Sequence, residues 1–153
     1  LARLEVALSA MMRWSESKHT RAEVAHRAEC HIAPSALRLL EHFDVAGAMR
    51  VSDIAECLRI DISTVSLQLR QLRADGLVHR LRDPADGRYG IIEITPQGRE
   101  ALARVRAARG ELLSEIFDAV PADELGRAAD VLMRVQDHML REWTRTRALK
   151  PLN

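Results

Sequence analysis

Cysteine is nearly missing: Cys30 and Cys57 are the whole complement, too few for a disulfide framework. Aromatic side chains are equally scarce, with two Trp, one Tyr and two Phe, so a core must be assembled from Leu, Ile, Val, Ala and Met. No uninterrupted apolar run approaches the ~18–20 residues that a membrane-spanning helix requires. Nothing in the chain resembles a secretory leader. The expectation is a soluble, cytoplasmic protein with no membrane partner. Excess charge is also lacking, since 23 basic and 22 acidic residues leave a net charge of +1. A blanket polycation is therefore excluded, and an anionic partner would have to meet a local patch. No nucleophile–base set or carboxylate pair stands in a recognisable context, so neither an enzyme nor a cofactor is expected. The chain opens on Leu1 instead of Met, which points to residues upstream of it.

What is present is mostly helical periodicity. At 153 residues there is room for one domain with a real core. Leu4, Ala7, Leu8, Met11 and Met12 recur at spacings of three and four, and nothing interrupts that first helix before Pro34. Pro34 fits the first turn of a second helix carrying Leu37, Leu39, Leu40 and Phe43, which Gly47 ends. Ser52 reads as the cap of a short helix, Asp53–Leu58. A further helix runs from Ile62 to Asp75 and stops at Gly76. Leu77–Leu81 and Tyr89–Ile94 are strand candidates joined by an Asp86-Gly87 turn. Thr95 caps, and Pro96 opens, a helix that continues through Phe117, and Pro121 starts the last one.

The segment "VSDIAECLRIDISTVSLQLRQLRADG", residues 51–76, carries the functional signal. On a helical wheel Ile62, Val65, Leu69 and Leu72 share an inward face. Ser63, Thr64, Leu67, Arg70 and Gln71 share the opposite one, with Ser66 and Arg73 at its edge. A face of hydroxyls, an amide and an arginine, free of acids, suits base edges and phosphates.

Taken with the flanking Gly76-Leu77-Val78, Asp83-Pro84-x-Asp86-Gly87-Arg88 and Ile94-Thr95-Pro96-x-Gly98, this segment resembles the winged helix-turn-helix of the MarR family of bacterial transcription regulators. Each motif alone is weak; together they are specific. The resemblance implies a mainly α fold: a winged helix-turn-helix with a small β-hairpin wing, plus N- and C-terminal dimerisation helices. The implied division is residues 1–33, 34–98 and 99–153. It also implies a homodimer on double-stranded DNA, acting as a repressor and responsive to a small, phenolic ligand. Ser63, Thr64, Ser66, Leu67, Arg70 and Gln71 become the recognition-helix contacts. Arg82, Asp83 and Arg88 become the wing contacts, with Asp83 orienting Arg88 for the minor groove. Arg50, Ser52, Arg73 and Arg80 become phosphate contacts, and Met11, Trp14 and His19 line a ligand pocket. Two departures stand out. Arg59 occupies a turn position where glycine is frequent, and Leu67 a position where a polar residue is frequent.

Two alternatives remain open at this level. One is a redox or metal sensor built on Cys30 with His26 and His31, although four ligands for a structural zinc are not in evidence. The other is a winged-helix dimerisation module that never touches DNA. Trp143 is expected to anchor the dimer interface.

Overall fold

The computed structural model describes residues 1–84 and 86–148, with side chains through residue 139. Trp143 therefore lies outside the described side chains. The chain falls into two compact units, Leu1–Leu112 and Leu113–Asn153.

The first helix is broken where the sequence was expected to run on. Helix α1 spans Ala2–Glu16 and α2 spans Lys18–Arg27. Between them Ser17 adopts an extended backbone, and its hydroxyl oxygen accepts the Thr20 backbone N–H at 3.1 Å. Capping an exposed helix start in this way satisfies a donor that the helix itself cannot. The break was legible in Ser17, but apolar periodicity hid it. Helix α3 spans Pro34–Ala46, with proline in its first turn and Gly47 closing it through an N–H bond to the Phe43 carbonyl. Helix α4, Val51–Leu58, begins two residues earlier than expected. Arg50 is its N-cap and Ser52 is not, because the Ser52 hydroxyl is turned to the Asp53 carboxylate. Helix α5, Ile62–Ala74, ends as expected at Gly76, which takes the left-handed φ of 71°.

Among the described residues three strands form where two were expected. Strands β2, Val78–Arg82, and β3, Gly90–Ile94, pair antiparallel with Val78 opposite Ile94 and Arg82 opposite Gly90. The short β1, Met49–Arg50, adds to the other edge of β3, giving the order β1-β3-β2. Two residues carry no period, so β1 could not be read from sequence. The connection between β2 and β3 is also not a two-residue hairpin. Its loop, Asp83–Tyr89, is closed by an Asp83 N–H to Tyr89 carbonyl bond and contains a turn from Asp86 to Tyr89, each at 3.0 Å. Gly87 stays out of the left-handed region, as this turn requires no positive φ.

One core serves the first unit. Leu39, Leu40 and Phe43 of α3 meet Ile54 of α4, Val65, Leu69 and Leu72 of α5, and Ile92 and Ile94 of β3. Helix α6, Pro96–Ile116, adds Ala101, Leu102 and Val105. Its start is locked onto the exit of α5. The Thr95 hydroxyl donates to the Gly76 carbonyl at 2.7 Å and accepts the Gly98 N–H at 3.0 Å. A Cβ on Gly98 would meet the Leu77 carbonyl oxygen and the Ile94 side chain, so glycine there permits the close approach. On the outer rim of the core, Arg106 pairs with Asp44 and Arg109 with Glu41, both at 2.7 Å.

The second unit is dominated by α7, Ala122–Ala148. Leu132, Val135 and Met139 recur at helical spacing, and all three are exposed.

Candidate nucleic-acid interface

Helix α5 owes its orientation to one buried stripe. Val65, Leu69 and Leu72 are sealed in the core, which turns Ser63, Leu67, Arg70 and Ala74 outward at three- and four-residue spacing. Ser63, Thr64, Ser66, Leu67, Arg70, Gln71 and Arg73 are all exposed. Ile62 departs from the wheel: at 56% exposure it joins the outer surface instead of the core. It occupies the first helical position after the N-cap Asp61, where the inward stripe has not yet reached the packed layer.

The α4–α5 connection has the geometry that the unusual Arg59 raised as a question. Arg59 sits at φ 53° and ψ 45°, a left-handed cap for α4. The Ile60 N–H bonds to the Ala55 carbonyl and the Arg59 N–H to that of Glu56, so the last carbonyls of the helix are satisfied. A non-glycine residue in that backbone costs about 1 kcal/mol, which the paired carbonyls offset. An open depression beside this turn is lined by Ser52, Glu56, Asp61, Ser63 and Thr64, among others.

The polar groups on the outer face differ in their freedom. Among the described residues Arg70 has no hydrogen bond or ion pair, so its guanidinium fork is available to a ligand. Gln71 is engaged: its amide nitrogen donates to both Asp75 carboxylate oxygens, at 3.0 and 3.1 Å. Reading an adenine edge needs the donor and acceptor of one amide together, so Gln71 would have to leave Asp75 first.

The wing corrects two expectations. Asp83 does not hold Arg88. Asp83 is nearly buried and receives Arg50, whose Nε lies 2.6 Å from its carboxylate. Arg88 is held instead by Asp86, through Nε and a terminal nitrogen at 3.0 and 2.8 Å. The Asp86 carboxylate also accepts the Arg88 backbone N–H at 3.1 Å. The spacing explains the exchange of partners: two residues apart within one turn, Asp86 reaches Arg88 locally, whereas Asp83 leaves the strand pointing at β1. Those bonds hold the Asp86 carboxyl below its ordinary value and raise Arg88. The Arg88 side chain nonetheless remains 85% exposed at the loop tip. Arg50, expected on phosphate, is occupied inside the protein by Asp83 and by the face of Tyr89, 4.5 Å from its ring centre. Hydrogen bonding to Asp83 is the main cause of its raised pKa. Arg80 lies across Gly90, Arg82 ends β2 toward the tip, and both are exposed.

The remaining expected residues are not assembled into one site. Trp14 is half-buried and Met11 exposed on α1, while His19 is exposed on α2, beyond the break at Ser17. None of the three lines the depression at the α4–α5 turn. Cys30 is half-buried against the core, and no group of three metal-ligating side chains occurs among the described residues. Sequence reasoning missed Asp86 and Tyr89 as wing partners. The acid–arginine spacing in "DGR" was the available signal for the first; nothing in the sequence marked the second.

A short helix, a tight turn, a second helix with an acid-free outer face, and an antiparallel wing tipped with arginine define a winged helix-turn-helix protein. The MarR family model matches residues 32–89. Two curated relatives come from Bacillus subtilis (strain 168). The uncharacterized HTH-type transcriptional regulator YxaD is 33% identical over 66% of this chain and 71% of its own length. The uncharacterized HTH-type transcriptional regulator YdgJ is 32% identical over 71% of this chain and 66% of its own. The chain thus spans about two thirds of the length of either. Among solved structures, a MarR family protein from Bacillus stearothermophilus matches with a TM-score of 0.72 at 18% identity, over 92% of this chain and 98% of that one. The chain belongs to the MarR family, and its relatives are transcription regulators, not enzymes.

Proposed function

We propose that this chain acts as a homodimeric repressor that binds a near-palindromic operator and is released or retained by a small ligand. The observation that carries the DNA reading is the outer face of α5: Arg70 stands there without a protein partner among the described residues, on a surface of hydroxyls with no acid within it. Helix α5 would enter the major groove, where an arginine fork matches guanine O6 and N7. Arg88 at the wing tip would meet the minor groove or the backbone, with Arg73, Arg80 and Arg82 on phosphates. Two half-sites would then lie about one helical turn apart.

The dimer reading is supported by apolar side chains left open on the terminal helices. Leu132, Val135 and Met139 of α7, and Leu4, Leu8, Met11 and Met12 of α1, are exposed. The interface would draw on surface within residues 1–33 and 99–153, apart from the α6 side chains already buried in the core. Exposed stripes of this length are a liability in a monomer and ordinary in an oligomer. A phenolic ligand near Met11, Trp14 and His19 would act only through unequal affinity for DNA-competent and DNA-incompetent dimers.

The test is binding to duplex DNA flanking the protein's own gene, at two salt concentrations, with and without phenolic acids. Binding that weakens steeply with salt and shifts with one of the acids is the expected result. Absent or salt-independent binding would remove the functional reading.

A further inference from the structure

Arg50 ties the wing loop to the helix pair. Arg50 ends β1 opposite Ile91 and is the N-cap of α4, so its backbone belongs to both the sheet and the first helix of the pair. Its guanidinium reaches the two ends of the loop that carries Arg88. Nε and a terminal nitrogen lie 2.6 and 2.5 Å from one oxygen of Asp83, where the loop begins. Its Cζ lies over the ring of Tyr89, where the loop ends, at 4.5 Å from the ring centre. Those two ends are themselves joined by the Asp83 N–H to Tyr89 carbonyl bond. Asp83 is only 9% exposed, and a carboxylate at that depth demands a matched cation, because leaving it unpaired is strongly destabilising. Arg88, by contrast, has its partner Asp86 inside the same loop, so that pair stiffens the tip without fixing where the tip points.

We infer that Arg50 is the positioning residue of the wing: through Asp83 and Tyr89 it sets where Arg88 is presented relative to α4 and α5, and it does not contact DNA. This role in recognition rests on the reading that the chain binds duplex DNA, whereas the strut itself belongs to the free protein.

The two parts are tested together. Arg50→Gln and Asp83→Asn are made singly and as a pair, each with Arg88 present and with Arg88→Ala. The paired variant leaves no orphaned carboxylate, so it reports even where a single change prevents folding. In the free protein, loss of a charge-assisted strut should accelerate amide exchange at Asp83 and Tyr89 by about tenfold. Exchange at Val65 and Leu69 should not change. Affinity for the operator duplex should fall by about tenfold when Arg88 is present and by less than about twofold in the Arg88→Ala background. Unaltered exchange at Asp83 and Tyr89 overturns the strut, whatever happens with DNA. An affinity loss for Arg50→Gln that persists in full without Arg88 makes Arg50 a direct phosphate contact and overturns the positioning role. If exchange accelerates but the unaltered protein shows no salt-dependent binding to any duplex, the strut stands and the DNA reading falls.

Discussion

Leu69 and Arg70 are neighbours in α5, yet their surroundings have little in common. Leu69 is 3% exposed among Leu39, Leu40, Val65 and Leu72, while Arg70 stands outside with no partner among the described residues. The rim of the core sharpens the contrast, because the same residue type is used there in the opposite way: Arg106 and Arg109 of α6 are bound to Asp44 and Glu41 of α3. One surface has its charges neutralised by the chain itself; the other keeps them for something else. A helix can therefore serve stability with one face and recognition with the next, provided that the two faces do not share partners. Substitutions on them should separate cleanly.

The largest effect is expected on the inner face. Leu69→Ala should cost about 2–5 kcal/mol of unfolding free energy, seen as a lowered denaturant midpoint with an unchanged slope. The protein that remains folded should keep its preference for operator over random duplex. Arg70→Ala should do the reverse: about 1–3 kcal/mol lost from specific binding, with an unchanged thermal midpoint. If Arg70→Ala binds specific and random duplex just as the original protein does, α5 is not the reading helix.

Leu67 tests whether the outer face is polar in function as well as in composition. It is 62% exposed on that face, and in the proposed complex it would pack on a thymine methyl. Replacing the contacted thymine by uracil removes only that methyl, worth about 0.8 kcal/mol. The penalty should appear with Leu67 and vanish in Leu67→Ala; an identical penalty in both proteins rules the contact out. Smaller still, Arg109→Ala removes a rim pair that is open to solvent, and should cost no more than about 1 kcal/mol in chemical denaturation.

The smallest effect is electrostatic and lies at the wing tip. Hydrogen bonds from Arg88 lower the Asp86 pKa below its ordinary 3.8. A lowered folded-state value means that the carboxylate form is favoured by folding. The contribution is thus in place above the ordinary value and is lost as pH falls through the lowered one. In a carbon-detected titration the Asp86 midpoint should lie below 3.8 and return toward it in Arg88→Ala. A midpoint indifferent to Arg88 would detach the pair from the tip.

Much of the recognition unit could be read directly from residues. The period of Val65, Leu69 and Leu72 placed α5 at Ile62–Asp75, one residue longer than the observed Ile62–Ala74, and Thr95-Pro96 placed the start of α6, because capping and amphipathicity act within a few neighbours. Gly76 was legible as the stop for the same reason. Periodicity misplaced Ile62, since a wheel assumes that the buried layer extends to the first turn. It passed over the break at Ser17, where a hydroxyl cap outweighed the lack of Gly or Pro. The partners of Asp83 and Arg88 were likewise beyond it.

The sequence by itself determined the order of helices, the outward face of α5 and the presence of an arginine at the wing, since each depends on spacing along the chain. Only the tertiary structure decided that β1 joins the sheet, that Ile62 faces out, and that Arg50 crosses 33 positions to Asp83. Those outcomes depend on which distant segments arrive beside a buried charge or an open sheet edge. A carboxylate withdrawn from water takes the cation that geometry delivers, and the delivery is made by the fold.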